Sequence, residues 1–271
     1  MSKETKSILI SGASSGIGRH CALSIAGAGF KVFAGVRNEE AGEQLEKEAS
    51  GWLEKIHLDI SDVLSVESAV QLLKSENLYA IINNAGIAVL GPLEFIPISE
   101  IRRQFEVNLF GHIAVTQAFL PLLRQTTGSR IINMSSISGF LAFPFYGSYA
   151  SSKFALEAFN EALRRELDPW KIKVISIQPG NIKTPIWEKS FQSAHSIATE
   201  FPPEAGFYYP NSLTQSKGST DSLIPPSAVS RAVLKALKSK QPKAHYRVGL
   251  RALKYAIYSR LLPTWVVDRL I

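Results

Sequence analysis

Tyr149 and Lys153 stand four residues apart in a stretch that reads as helix, so a phenol and an ammonium share one helical face. A phenol in water titrates near pH ~10, and a fixed cation beside it favours the phenolate, which would let such a tyrosine exchange protons near neutrality. That is the equipment of a general acid and base. The same spacing is common on ordinary solvated helix faces, so the pair takes its meaning from the elements that position it.

Those elements alternate between strand and helix. Residues 7–10 form an apolar run that ends in Ser11-Gly12-Ala13-Ser14-Ser15-Gly16-Ile17-Gly18, and the residues to Gly29 have helical composition. In a strand, loop, helix context Gly12 permits a tight turn, Gly16 lets the backbone approach a pyrophosphate, and Gly18 packs the helix close to the sheet. The free N–H groups of a loop running through Ser14, Ser15 and Ile17, with the helix dipole behind them, then face an anion. A turn of small residues with no ligand is the alternative.

The second strand, residues 31–37, ends in Val36-Arg37 with no acid before Glu39. An acid there would bond a ribose 2′-hydroxyl and an Arg would accommodate a 2′-phosphate, so NADP(H) is favoured over NAD(H). The alternative is an ordinary surface cation. After a charged helix over 39–50, a third strand ends at Asp59, which either accepts a hydrogen bond from an adenine amino group or caps the helix starting near Asp62. A fourth strand over 78–82 feeds Asn83-Asn84-Ala85-Gly86, suited to a sharp turn at a ligand-binding strand end.

A long helix is predicted over 99–124, with Asn108 among Phe105, Val107, Leu109 and Phe110. Asn is a poor helix-interior residue and, buried, it needs partners. Gly111 fits a kink or a close approach. A fifth strand over 130–136 delivers Ser136 to the same edge, the helix from Ser148 to Leu167 carries Tyr149 and Lys153, and a sixth strand stops at Pro179-Gly180. The alternation predicts a single α/β domain over 1–271, a Rossmann-type doubly wound parallel sheet with helices on both faces.

Residues 186–226 lose the pattern and offer only short helical possibilities. Phe191, Phe201, Phe207, Tyr208 and Tyr209 there read either as an apolar substrate wall or as a surface loop. A helix over 227–239, a strand near 246–249 and a last helix over about 250–262 close the chain.

Among the 271 residues, 45% are hydrophobic and 20% charged, the composition of a globular protein and not of a disordered one. No apolar run reaches the ~18 residues of a membrane span, and residues 1–6 lack a secretory pattern, so a cytoplasmic location is expected. Cys21 stands alone, which rules out an internal disulfide, and the five histidines lack ligand spacing, so no metal is expected. Of the net charge of +7, residues 231–271 hold ten Lys and Arg against Asp268, which leaves the first 230 residues at −2. That argues against a nucleic-acid surface and towards something local to the tail. In the basic segment 250–271, Leu250, Leu253, Ile257 and Leu261 fall near one helical face. It reads as peripheral contact with an anionic membrane, a pocket cover or an oligomer interface.

Taken together, Gly12, Gly16 and Gly18, Asn83-Asn84-Ala85-Gly86, Asn108, Ser136, Tyr149, Lys153 and the segment from Pro179-Gly180 to Thr184 resemble the short-chain dehydrogenase/reductase family over the first 185 residues. One departure is Ser11, where that family usually has Thr; the hydroxyl is kept. Val36-Arg37 resembles its NADP-preferring branch, and with the tail the steroid- and retinoid-handling members. The resemblance implies an oxidoreductase that interconverts an alcohol and a ketone or aldehyde on a fairly apolar substrate, working as a homo-oligomer. It implies that Tyr149 passes the proton, Ser136 holds the substrate oxygen, and Lys153 bonds the nicotinamide ribose and lowers the Tyr149 pKa. Asn108 would position a water in a proton relay, with Ile182 and Thr184 at the carboxamide and phosphate end of the cofactor. The competing function is a non-catalytic NADP(H)-binding sensor or interaction module on the same fold.

Overall fold

The computed structural model describes residues 5–49, 52–210 and 223–271. Seven parallel strands form one sheet in the order β3-β2-β1-β4-β5-β6-β7. They are β1 (Ser7–Ser11), β2 (Lys31–Val36), β3 (Leu53–His57), β4 (Leu78–Asn83), β5 (Arg130–Met134), β6 (Lys173–Pro179) and β7 (His245–Val248). β1, β4 and β5 are buried along their whole length, which is why they read as continuous apolar runs without alternation. This is the Rossmann-type single domain expected from the sequence.

Two cores lie on opposite faces of the sheet. On one, Ile8, Ile10, Val32 and Ile132 meet α1 (Gly16–Ala26) and a helix over Pro226–Lys238. On the other, Leu9, Phe33, Ile81 and Ile131 meet α3 (Val63–Leu73), α5 (Gly111–Gln125) and α6 (Gly147–Glu166). The remaining helices are α2 (Glu39–Glu48), α4 (Ile98–Phe105), α7 (Pro185–Ala198), α8 (Ala205–Tyr208), α9 as the Pro226–Lys238 helix, α10 (Leu250–Leu261) and α11 (Thr264–Leu270). Between β1 and β4 the winding reverses, so the loops that leave these strands part and open a crevice at their carboxyl ends.

Four expectations change. The long helix predicted over 99–124 is α4, a π-helical turn at Glu106–Phe110, and α5. Gly111 sits at that junction because a Cβ there would stand 2.8 Å from Ile60 Cδ1 and 2.9 Å from its carbonyl oxygen. The helix after β3 is capped by Asp62, whose carboxylate accepts from Leu64 N at 3.0 Å, so Asp59 is not its cap. The segment 186–226 is not irregular throughout: α7 is a 14-residue helix opened by Thr184 with Pro185 in its first turn. Residues 211–222 of that segment lie outside the described residues. Finally, the tail holds a second helix, α11, after Pro263.

Candidate active site

The crevice begins at the glycine loop. Gly12 takes φ +66, and a Cβ on it would stand 2.7 Å from Ala85 Cα. A Cβ on Gly18 would collide with the Gly12 carbonyl oxygen and the Asn84 side-chain nitrogen. Ser11 and Asn84 tie the two strand ends together. Ser11 Oγ accepts from Asn84 N at 3.0 Å and Ala85 N at 3.1 Å, while Asn84 Nδ2 donates to the carbonyls of Ser11 at 3.0 Å and Gly12 at 3.1 Å. Ser11 therefore performs with its hydroxyl what that position asks for. Ser15 precedes α1 in an extended conformation without a side-chain cap, and the first turn carries no acid, which leaves the positive end of the helix directed into the crevice. We expect Gly18→Ala to destabilise the fold by about 1–3 kcal/mol through this overpacking and to weaken dinucleotide binding. Thermal unfolding with and without cofactor measures both.

Asn108 lies buried in the π turn. Its Oδ1 accepts from Ile87 N at 2.9 Å, and its Nδ2 donates to Ile87 O at 2.9 Å and to Ser152 Oγ at 3.1 Å. Both side-chain donors are thus committed to clamping the loop after Gly86 onto α6.

Ser136 follows β5, and its Oγ accepts from Ser138 N at 3.1 Å. The support for that oxygen thus comes from the Ser138 backbone. Ser135 is turned towards Gly139, where a Cβ would stand 2.7 Å from its Oγ. Tyr149 is buried with the Ser136 side chain beside its hydroxyl, and packed edge-on against Trp187 with ring centroids 6.1 Å apart. Lys153 is 4% exposed, donates to Met134 O at 2.8 Å, and lies 5.8 Å from the Tyr149 ring centroid.

The electrostatics depart from the expectation of a lowered Tyr149 pKa. Burial pushes the Tyr149 phenol up to about 12, with the Ser136 hydrogen bond opposing, and burial pushes the Lys153 ammonium down to about 8, with Glu157 opposing. Desolvation of both groups outweighs their spacing on the helix. The tyrosine therefore holds its proton at neutral pH, ready to donate it.

At the far edge of the crevice Arg37 lies 3.6 Å from Asp59. Partial burial would raise the Asp59 carboxyl, but hydrogen bonds from Ser61 and the Arg37 charge hold it below its ordinary range. Gly180 N donates to Val248 O at 3.0 Å, and Ile182 bridges Ile224, so the turn after β6 is fixed to the chain's last third. Thr184 lies opposite Gly16, whose Cβ position is 3.4 Å from the threonine methyl.

Every residue that sequence reasoning assigned to the cofactor lines this one crevice, and Ser136 lines it too; Asn108 stands behind it. The glycines that tolerate no Cβ, the uncapped start of α1 and the Arg37 side fit an extended dinucleotide diphosphate. Sequence reasoning missed Trp187, which also packs on Tyr146 at 5.8 Å. Thr184 followed by Pro185, a cap residue and a first-turn proline, was the signal for the helix that places it.

A second pocket adjoins the crevice through Ser136, Gly180, Thr184 and Trp187, walled by Phe143, Phe145, Tyr146, Phe191, Leu223 and Tyr255. Of the five aromatics expected as a substrate wall, Phe191 lines it. Phe201 and Tyr209 instead pack on Phe95, with Tyr209 also bonded to Glu94 at 2.9 Å, while Phe207 and Tyr208 are exposed. α10 turns Ala252 and Ala256 inward and sets Tyr255 against Phe143 at 5.5 Å, while Leu250, Leu253, Ile257 and Leu261 face outward.

The short chain dehydrogenase family profile matches residues 6–195. An NADPH-dependent 3-dehydrocapnine reductase from Ornithobacterium rhinotracheale is 32% identical over 97% of this chain and 94% of its own length. Estradiol 17-beta-dehydrogenase 2 from Mus musculus is 32% identical over 99% of this chain and 74% of its own. Among solved structures, a short chain dehydrogenase from Burkholderia cenocepacia in complex with NADP superposes with a TM-score of 0.78 at 27% identity, covering 99% of this chain and 98% of that one.

Proposed function

The chain belongs to the short-chain dehydrogenase family, and on that premise we propose that it interconverts an alcohol and a ketone or aldehyde on a fairly apolar substrate, with NADP(H) preferred and Tyr149 passing the proton. Membership makes it an oxidoreductase acting on CH–OH groups with NAD(P). The observation that carries the finer reading is the placement of Tyr149 beside Ser136, the hydroxyl that lies where the dinucleotide crevice joins the aromatic pocket.

When bound, the nicotinamide supplies the hydride and its electron pair. The protein orients the carbonyl and manages one proton. Ser136 Oγ, with Ser138 N already donating to it, aims its own hydrogen at the carbonyl oxygen; Tyr149 Oη delivers its proton to that oxygen as negative charge develops there. In oxidation the proton runs the other way, from the alcohol to the Tyr149 phenolate. Lys153 places a buried cation beside the phenol, and Asn108 acts as a positioning residue, holding the loop after Gly86 against α6. The apolar walls of the second pocket exclude water from this exchange. A cofactor comparison followed by a screen of apolar aldehydes and ketones tests the proposal. Pure protein that binds NADPH and turns over no carbonyl in a broad panel would return the sensor reading.

Arg37 supports the cofactor preference, as does the NADPH dependence in the name of the Ornithobacterium relative. Arg37→Leu is expected to raise the NADPH KM about tenfold, the loss of one charge-assisted contact, and to move the NADH KM little. Equal changes for both cofactors would sink the assignment. The apolar substrate class draws support from the aromatic pocket and from the estradiol enzyme's name.

For the tail, no described helix is long and apolar enough to cross a membrane. Leu250 and Leu261 on the outer face of α10 are 87% and 75% exposed, with Lys254, Arg260 and Arg269 nearby in sequence. We read that face as peripheral contact with an anionic surface, and the exposed Phe110 and Phe154 as the homo-oligomer's contact. Flotation with anionic vesicles, paired with light scattering, checks both: Leu250→Ser with Leu261→Ser should lose the vesicles and keep the molecular mass.

A further inference from the structure

The pocket beside Ser136 is not uniformly apolar. Lys183 and Arg251 line it among the aromatic walls, and no aspartate or glutamate does so among the described residues. Lys183 is exposed and Arg251 half-buried; elsewhere Lys31 meets Glu76 at 2.7 Å, and Lys55 meets Glu39. Neither Lys183 nor Arg251 forms an ion pair or a side-chain hydrogen bond with a described residue, the terminal carboxylate of Ile271 at the same pocket included.

Arg251 is half-buried and stands in the first turn of α10, where a cation opposes the helix dipole. The backbone that carries it is pinned on either side. Gly249 takes φ +100 with its Cβ position against Ile224, Gly180 N holds Val248 O at 3.0 Å, and a Cβ on Gly180 would be 3.9 Å from Ala252 N. The start of α10 is thereby pinned to the turn that separates the pocket from the crevice. A guanidinium kept half out of water, unpaired, at the unfavourable end of a helix is stabilised by an anion from outside.

We infer that the substrate is an amphiphile with one anionic head group, a carboxylate, sulfonate or phosphate, held by Arg251 and Lys183, its apolar body lying along Phe143, Phe191 and Tyr255. The inference rests on the oxidoreductase reading for its reactive carbon, which lies at Ser136. It makes Arg251 and Lys183 specificity-determining residues.

Two measurements test it on the full chain. Calorimetry in the presence of NADP+ compares dodecanoate and dodecyl phosphate with uncharged dodecanol, and turnover with NADPH compares 12-oxododecanoate with its methyl ester. One or both anions should bind at least about tenfold more tightly than dodecanol, as charge-assisted contacts give, and the better one identifies the head group. The oxo acid should exceed its ester in kcat/KM by a similar factor. High salt should shrink both ratios. In the variant carrying Arg251→Gln and Lys183→Gln both ratios should fall to about one, with measurable dodecanol binding as the sign that the pocket is intact. Equal binding of anions and alcohol by the unaltered protein, or a preference that survives the double substitution, overturns the inference. Selective anion binding without reduction of any carbonyl would leave the anion site standing and reject the carbonyl chemistry; reduction of acid and ester alike would do the reverse.

Discussion

Tyr149→Phe is expected to lower kcat by about 10²–10⁴-fold in both directions, the range a positioned general acid contributes. The substitution removes one oxygen and little else. The ring keeps its edge-on contact with Trp187 at 6.1 Å, and Ser136 Oγ keeps its bond from Ser138 N at 3.1 Å. NADP(H) affinity, set mainly by the glycine loop and the Arg37 side, should change little. Steady-state kinetics beside equilibrium titration of NADPH separate the two. Retained turnover would remove Tyr149 from the proton path, whereas loss of cofactor binding would mean that the hydroxyl serves the dinucleotide first. The reason to expect the larger effect is the phenol's state: burial pushes it up to about 12, so at neutral pH it is a loaded donor that phenylalanine cannot imitate.

How far this site was legible in the sequence depends on whether a property is local. Gly12, Gly16 and Gly18 announce themselves because the constraint on each is a near-neighbour steric one, and Gly18 meets Gly12 within a single loop turn. Asn84 and Ser136 follow from strand ends, since parallel strands deliver their last residues to one edge. The wall of the adjoining pocket was not legible in the same way. Phe191 and Phe207 look alike in sequence, yet one lines the pocket and the other is 81% exposed, because α7 and the contacts of Phe95 decide which aromatics turn inward. Asn108 shows the same limit. Its burial could be argued from its neighbours, but its partners depend on a π turn whose extra residue has no sequence signature.

The pKa of Tyr149 is the clearest non-local property. Spacing along α6 says that a cation is one turn away, which lowers a phenol's pKa. The fold says that both groups are out of water, which raises it, and desolvation prevails. The cation itself carries that cost, and the cost can be measured.

Lys153→Met is therefore expected to abolish most activity and yet to raise stability near neutral pH. The Lys153 ammonium sits 4% exposed, with its pKa pushed down from 10.5 to about 8. In the unfolded chain it would titrate at the higher value, so between pH 8 and 10.5 the unfolded state binds more protons and stability rises with pH. Below about pH 8 both states are charged and the full cost of burying the ammonium is present; above 10.5 it is gone. A shift of that size corresponds to about 3 kcal/mol. Methionine has a similar shape and no charge, but it leaves Met134 O without the donor that now lies at 2.8 Å. The net gain expected at pH 7 is thus about 1–2 kcal/mol. The pH dependence identifies its origin. Denaturant unfolding of both proteins at several pH values should show the variant's advantage constant up to about pH 8 and fading towards 10.5. An advantage independent of pH would be repacking alone, and a less stable variant would show that Glu157 and Met134 O more than compensate the buried charge. A variant more stable below pH 8 would mean that the buried ammonium costs the fold, and that cost is the physical argument for placing Lys153 in the proton chemistry.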